Sequence, residues 1–129
     1  MEQVITDKEA VKVSKTKPLN ISVFGLGKVG LTLVSCLANN GNQVIGVDVS
    51  PDLVSAVNDG SIRSLEPGVN QRLANSLNNL SATSDPVEAV QNSDISFIIV
   101  PYICHTDTYS NSLRRQCWPY MLFMVLILF

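Results

Sequence analysis

At 129 residues the chain is long enough for one domain with a hydrophobic core. Nine basic residues against eleven acidic ones give a formal net charge of −2, and the basic residues form no dense stripe, which argues against a nucleic-acid or polyanion surface. The three cysteines, Cys36, Cys104 and Cys117, have no metal-ligand spacing, so no metal site is expected, and a sparse, odd count fits a reducing cytoplasm better than a disulfide framework.

Residues 1–18 read as a polar extension. They carry Glu2, Asp7, Lys8, Glu9, Lys12, Lys15 and Lys17 and lack the apolar stretch of a signal peptide. A first strand is expected over 19–24. It runs into Gly25-Leu26-Gly27-Lys28-Val29-Gly30, a G-x-G-x-x-G loop that opens a helix over 28–40. In that helix Val29, Leu33, Cys36, Leu37 and Asn40 share one face, and Leu31, Val34 and Ala38 make the rest largely apolar. A helix apolar on most sides is buried, with Cys36 as a core thiol. Asn40-Gly41 stops it, and a second strand follows over 43–48.

This strand–loop–helix–strand order is the layout of a dinucleotide site. Gly25 permits the tight turn out of the strand, Gly27 lets a pyrophosphate approach the backbone, and Gly30 lets the helix lie close to the sheet. The helix start offers unpaired N–H groups and its positive dipole end to phosphates. Asp48 lies about 20 positions past the loop, where an acid accepts hydrogen bonds from a ribose 2′-hydroxyl and favours NAD over NADP. The competing reading is a glycine-rich turn in an α/β domain that holds no nucleotide. Lys28 either faces a phosphate or is a solvated residue of the first helical turn. The spacing is not that of G-x-x-x-x-G-K-[ST], in which the lysine must reach phosphate.

Further along, Ser50-Pro51-Asp52 opens a helix that Gly60 ends, with Leu53, Val54 and Val57 on its apolar face. After Glu66-Pro67-Gly68, the recurrence of Val69, Leu73 and Leu77 predicts another helix. A short strand is expected over Leu80–Thr83. Asp85-Pro86-Val87-Glu88 has the form of a capping box, and residues 95–100 that of a strand covered on both faces. The order predicts an α/β fold: a Rossmann-type doubly wound parallel sheet, truncated after its fourth strand. Residues 102–129 read as an atypical tail. Its apolar end, 118–129, is too short for a membrane-spanning helix, which needs roughly 20 residues, so no membrane partner is expected. His105 has no acid placed beside it by any motif, and Arg114-Arg115 lacks amphipathic spacing.

The residues Ile21 to Leu31, Val44 to Asp48, Val57-Asn58-Asp59-Gly60, Glu66-Pro67-Gly68-Val69 and Ser93 to Pro101 together resemble the N-terminal NAD-binding domain of the UDP-glucose/GDP-mannose dehydrogenases, the nucleotide-sugar 6-dehydrogenases. The likeness covers about residues 19–101, and the Glu-Pro-Gly element is what separates this family from generic Rossmann domains. The resemblance implies NAD as cofactor, with Gly25, Leu26, Gly27, Lys28, Val29, Gly30 and Asp48 as its binding residues. It implies a nucleotide sugar as the family's substrate, oxidised from CH–OH to carboxylate through an enzyme cysteine. That cysteine, its lysine and aspartate partners, the sugar domain and the dimerisation helix are expected beyond these residues, so no catalytic residue is assigned. The chain is accordingly expected to be the cytoplasmic NAD-binding portion of an oxidoreductase, inactive alone. The alternative is a non-catalytic binding or dimerisation module using residues 118–129.

Two departures stand out. Tyr102 replaces the threonine that the family places near the cofactor, and Asp52 and Leu53 stand where a basic residue often meets the adenosine end. Residues 107–111 again resemble the family's loop after strand four. A family-like patch between unlike stretches predicts a shifted reading frame or a sequence error.

Overall fold

The structure, a computed structural model, describes residues 17–100 and the backbone of Met124–Ile127. Most of the N-terminal extension lies outside the described residues. So do Tyr102, Cys104, His105, the patch 107–111, Arg114, Arg115, Cys117 and the rest of the tail.

The elements follow in the order β1 Asn20–Phe24, α1 Lys28–Asn39, β2 Gln43–Val47, α2 Pro51–Asn58, α3 Val69–Asn75, β3 Leu80–Thr83, α4 Pro86–Gln91, β4 Ile95–Ile98 and β5 Met124–Ile127. The sheet order is β3-β2-β1-β4-β5, with β1 to β4 parallel. Crossovers from β1 run outward on one side through β2 to β3, and the return through α4 places β4 on the other side of β1. This is the doubly wound order of a Rossmann fold. The expected fold class therefore holds for the four parallel strands. Beyond it, β5 lies antiparallel on β4, with Ile127 opposite Ile95 and Met124 opposite Ile98. The β4 edge that a sheet of four strands would leave open is paired there.

One face of the sheet carries the core. Ile21 and Val23 of β1, Val44 of β2 and Leu80 and Ala82 of β3 pack with Leu31, Val34 and Ala38 of α1, Val57 of α2, and Val69 and Leu73 of α3. The fully buried Ala89 of α4 lies outside that cluster. Burial of α1 differs from the expectation. Its deeply buried residues are Gly30, Leu31, Val34, Ser35 and Ala38, whereas Val29, Leu33, Cys36 and Leu37 are half-buried. A helix apolar nearly all round does not disclose its inner side by periodicity. The small residues Gly30, Ser35 and Ala38 decide it, because they let α1 come close to its neighbours. Residues of β4 are likewise mostly half-buried, with Ser96 buried.

Helix ends follow their caps. Ser50 Oγ accepts the Leu53 N–H at 3.4 Å with Pro51 at the first helical position. Asp85 Oδ1 accepts from Val87 and Glu88 N–H at 2.9 and 3.2 Å. The reciprocal half of the expected capping box is absent. The Asp85 N–H donates to Thr83 Oγ1, and the Thr83 hydroxyl donates to Glu88 Oε2, both at 3.1 Å. On the β1–β4 seam, Ser22 and Ser96 stand opposite each other, and their buried hydroxyls share a 2.6 Å hydrogen bond. Ser93 Oγ joins Ser22 Oγ at 3.0 Å.

The outer edge of β3 is closed by a side chain. Asn58, the last residue of α2, donates from Nδ2 to the Ala82 carbonyl at 2.9 Å and accepts the Ala82 N–H on Oδ1 at 2.8 Å. The carboxamide thus occupies the backbone groups that would otherwise await another strand. Asn58→Leu removes both hydrogen bonds and should cost about 1–2 kcal/mol, lowering the melting temperature by roughly 5–10 °C. Thermal unfolding followed by circular dichroism checks this, and an unchanged midpoint would show that the clip contributes nothing.

Candidate functional site

Where β1 lies between strands that cross over in opposite directions, the sheet opens a crevice at its carboxyl ends. A cleft of about 610 Å³ occupies this place. It is lined by Phe24, Gly25, Gly27, Lys28, Val29 and Gly30 below and by Val47, Asp48, Val49 and Leu53 from β2 and α2. Ser84, Pro86, Ile99 and Val100 complete it.

The three loop glycines differ in what the fold asks of them. Gly25 has φ +97°, and its N–H donates to the Val47 carbonyl at 2.8 Å. A Cβ there would run into the Ile99 carbonyl. A Cβ on Gly30 would collide with the Gly25 carbonyl, so close seating of α1 on the β1 turn depends on that glycine. Gly27 is unlike both. It caps α1 in ordinary extended backbone (φ −70°, ψ −166°), and a Cβ on it would meet nothing within 4 Å. The protein itself does not need a glycine there, whereas a ligand lying on the backbone would.

The start of α1 has no side-chain cap and no acidic residue in its first turn. Its leading N–H groups therefore face the cleft without a protein acceptor of that kind, as an anion site requires. At the opposite lip stands Asp48, half-buried. Its Oδ2 accepts the Leu26 N–H at 2.8 Å and its Oδ1 accepts the Ser50 N–H at 2.9 Å. One carboxylate thereby ties the glycine loop to the start of α2 and keeps acceptor capacity toward the cleft, since each oxygen can take more than one donor.

Of the sequence-derived site residues, Gly25, Gly27, Lys28, Val29, Gly30 and Asp48 line the cleft. Leu26 does not. Its side chain is fully buried and its N–H is taken by Asp48. Room for that side chain comes from Gly46, where a Cβ would sit 2.7 Å from Leu26 Cδ2. Gly46 was not singled out in the sequence, although a glycine inside a strand is a recognised sign of close approach. Lys28 makes an ion pair, its Nζ 2.9 Å from Glu66 Oε1, although the lysine side chain is 76% exposed and the glutamate 33%. Cys36 is a free, half-buried thiol outside the cleft lining rather than a core one. Among the described residues no cysteine or histidine lines the cleft, and no cluster of His, Cys, Asp or Glu could hold a metal ion. Among the same residues no helix is long and apolar enough to cross a membrane.

Comparison with known proteins agrees with this geometry. The family described as "UDP-glucose/GDP-mannose dehydrogenase family, NAD binding domain" matches residues 19–114. A GDP-mannose 6-dehydrogenase of Pseudomonas aeruginosa is 43% identical over 84 residues, which cover 64% of this chain and 19% of that one. The crystal structure of a ternary complex of GDP-mannose dehydrogenase from Pseudomonas aeruginosa superposes with a TM-score of 0.61 at 43% identity, covering 64% of this chain and 19% of that chain. A UDP-glucose dehydrogenase from the hyperthermophilic archaeon Pyrobaculum islandicum gives 0.59 at 35% identity, covering 65% and 20%. The chain thus spans about a fifth of the length of these relatives.

Proposed function

The chain belongs to the UDP-glucose/GDP-mannose dehydrogenase family and carries its NAD-binding domain, and we propose on that premise that it holds NAD in the cleft between α1 and the carboxyl ends of β1, β2 and β4. The observation that supports this most is the pairing of Gly27 with Asp48. Gly27 and the uncapped start of α1 leave space and N–H donors for a diphosphate. Asp48, fixed at the opposite lip, presents a carboxylate to the ribose hydroxyls. Gly25 and Gly30 shape the loop, Val29 and Lys28 form its rim, and Leu26 braces it from within. Bound NAD supplies a hydride acceptor. The reaction it serves is the oxidation of a UDP- or GDP-sugar from CH–OH to carboxylate, with the nucleotide sugar as the partner substrate.

These residues supply cofactor binding and no chemistry of their own. The only ionisable side chains among the described residues lining the cleft are Lys28 and Asp48, and neither is a nucleophile placed beside a base. The purified chain given NAD with UDP-glucose or GDP-mannose should therefore produce no NADH. Steady NADH formation would overturn that part of the reading.

Asp48→Ala tests the cofactor assignment. A carboxylate repels a 2′-phosphate and accepts from a 2′-hydroxyl, so its loss should reduce the preference for NAD over NADP by about tenfold or more, equivalent to about 1.4 kcal/mol. The same change leaves the Leu26 and Ser50 N–H groups without their acceptor and should cost about 1–3 kcal/mol of stability. Calorimetric titration with both cofactors measures the first effect and thermal unfolding the second. Equal affinities for NAD and NADP in the unaltered chain would remove Asp48 from the site.

A further inference from the structure

We propose that Glu66 is a positioning residue for cofactor affinity. It draws Lys28, the one cation among the described residues lining the cleft, toward the 61–68 loop and so weakens the hold on a dinucleotide's diphosphate. This rests on the reading of the cleft as an NAD site.

Lys28 is the first residue of α1, at the positive end of the helix dipole, where a cation is disfavoured. The first turn contains no acid to offset it. The offset comes from a distant part of the chain, through the 2.9 Å contact of Lys28 Nζ with Glu66 Oε1. Lys28 lines the cleft and Glu66 does not, so the pair ties the ammonium to a carboxylate from outside the cleft lining.

Glu66 is held in place by its surroundings. Its N–H donates to Ser64 Oγ at 3.2 Å, and its carbonyl accepts the Val69 N–H at 3.3 Å. Ser64 and Asn70 exchange reciprocal bonds of 2.8 and 2.9 Å. Gly68, in the left-handed region at φ +76°, turns this loop into α3. Helix α3 is in turn linked to α1 by Arg72 Nε, which donates to Ser35 Oγ at 3.3 Å. The loop therefore presents the carboxylate from a fixed base.

An ion pair this exposed is weak and salt-screened. A diphosphate at the head of α1 carries a denser negative charge and competes for the same ammonium. Glu66 and the cofactor thus share one lysine, and the strength of the resident pair is subtracted from that of the incoming one.

The test is calorimetric titration of the full chain with NAD for the unaltered protein, E66Q, K28M and the double variant, at low and high ionic strength. E66Q should bind NAD roughly two- to fivefold more tightly at low salt. The gain should shrink at high salt and vanish in the K28M background. Unchanged or weaker binding by E66Q, with the unaltered protein binding NAD normally, overturns the proposal and leaves the cofactor reading intact. A gain of equal size in the K28M background also overturns it, because Glu66 would then act without the lysine. Absence of NAD binding by every variant, the unaltered protein included, overturns the cofactor reading and this proposal together.

Discussion

Gly27→Val should leave the chain folded and unable to bind NAD. The residue caps α1 in a conformation open to any side chain, and a Cβ there meets nothing within 4 Å. Only the preference of a helix N-cap for glycine over valine resists the substitution, at about 0.5–1 kcal/mol, and the melting temperature should fall by no more than about 5 °C. The valine would fill the space over the helix start that the proposed diphosphate needs. Hydrogen bonds to a charged group are worth about 1.5–3 kcal/mol each, and blocking two of them weakens binding by at least about a hundredfold. Calorimetry with NAD and a thermal melt on the same sample check both halves. Retained affinity in a folded variant would show that this loop does not carry the diphosphate.

Gly30→Val should do the opposite and strike the fold first. Its Cβ would overlap the Gly25 carbonyl, a backbone atom that no rotamer change can move aside. Relief requires α1 to shift off the β1 turn, and α1 supplies Leu31, Val34 and Ala38 to the core. Overpacking against side chains costs about 1–3 kcal/mol, and against backbone the cost should reach about 3 kcal/mol or more, a melting temperature lower by roughly 10 °C or more. NAD affinity would fall as a consequence of the displaced loop. A variant that melts within a degree or two of the unaltered chain would contradict the close seating of α1.

Their places in the motif already gave the two glycines different roles, and their neighbours in the fold differ accordingly, with Gly30 pressed on the Gly25 carbonyl and Gly27 open. What was legible in the chain was local. The strand ahead of Gly25, the cap at Ser50 and the proline at residue 51 fix element types through short-range chemistry, and the elements lie within a residue or two of where those signals put them. The motif spacing also brought Gly25, Gly27, Gly30 and Asp48 to a common cleft. What could not be read was set by distant partners. The inner side of α1 depends on which of its apolar flanks carries the small residues. Gly46 is needed because Leu26 turns inward. Asn58 meets Ala82, and Lys28 meets Glu66, across tens of residues of sequence. The antiparallel β5 was missed because residues 118–129 contain neither alternation nor a turn signal, and pairing with β4 is a property of the sheet rather than of the segment.

The carboxylate of Asp48 has a further meaning for how binding and stability speak to each other. It is a single strut shared by the two crossovers that frame the cleft, with the amide of Leu26 on one oxygen and that of Ser50 on the other. A ligand that engages Asp48 selects the conformations in which both hydrogen bonds are made, and by mass action it withdraws population from those in which either has opened. Recognition at the lip is therefore also a vote for the integrity of the two junctions behind it. The binding free energy of such a ligand would then reach the strand–loop–helix junctions of α1 and α2 at once, and not the cleft surface alone.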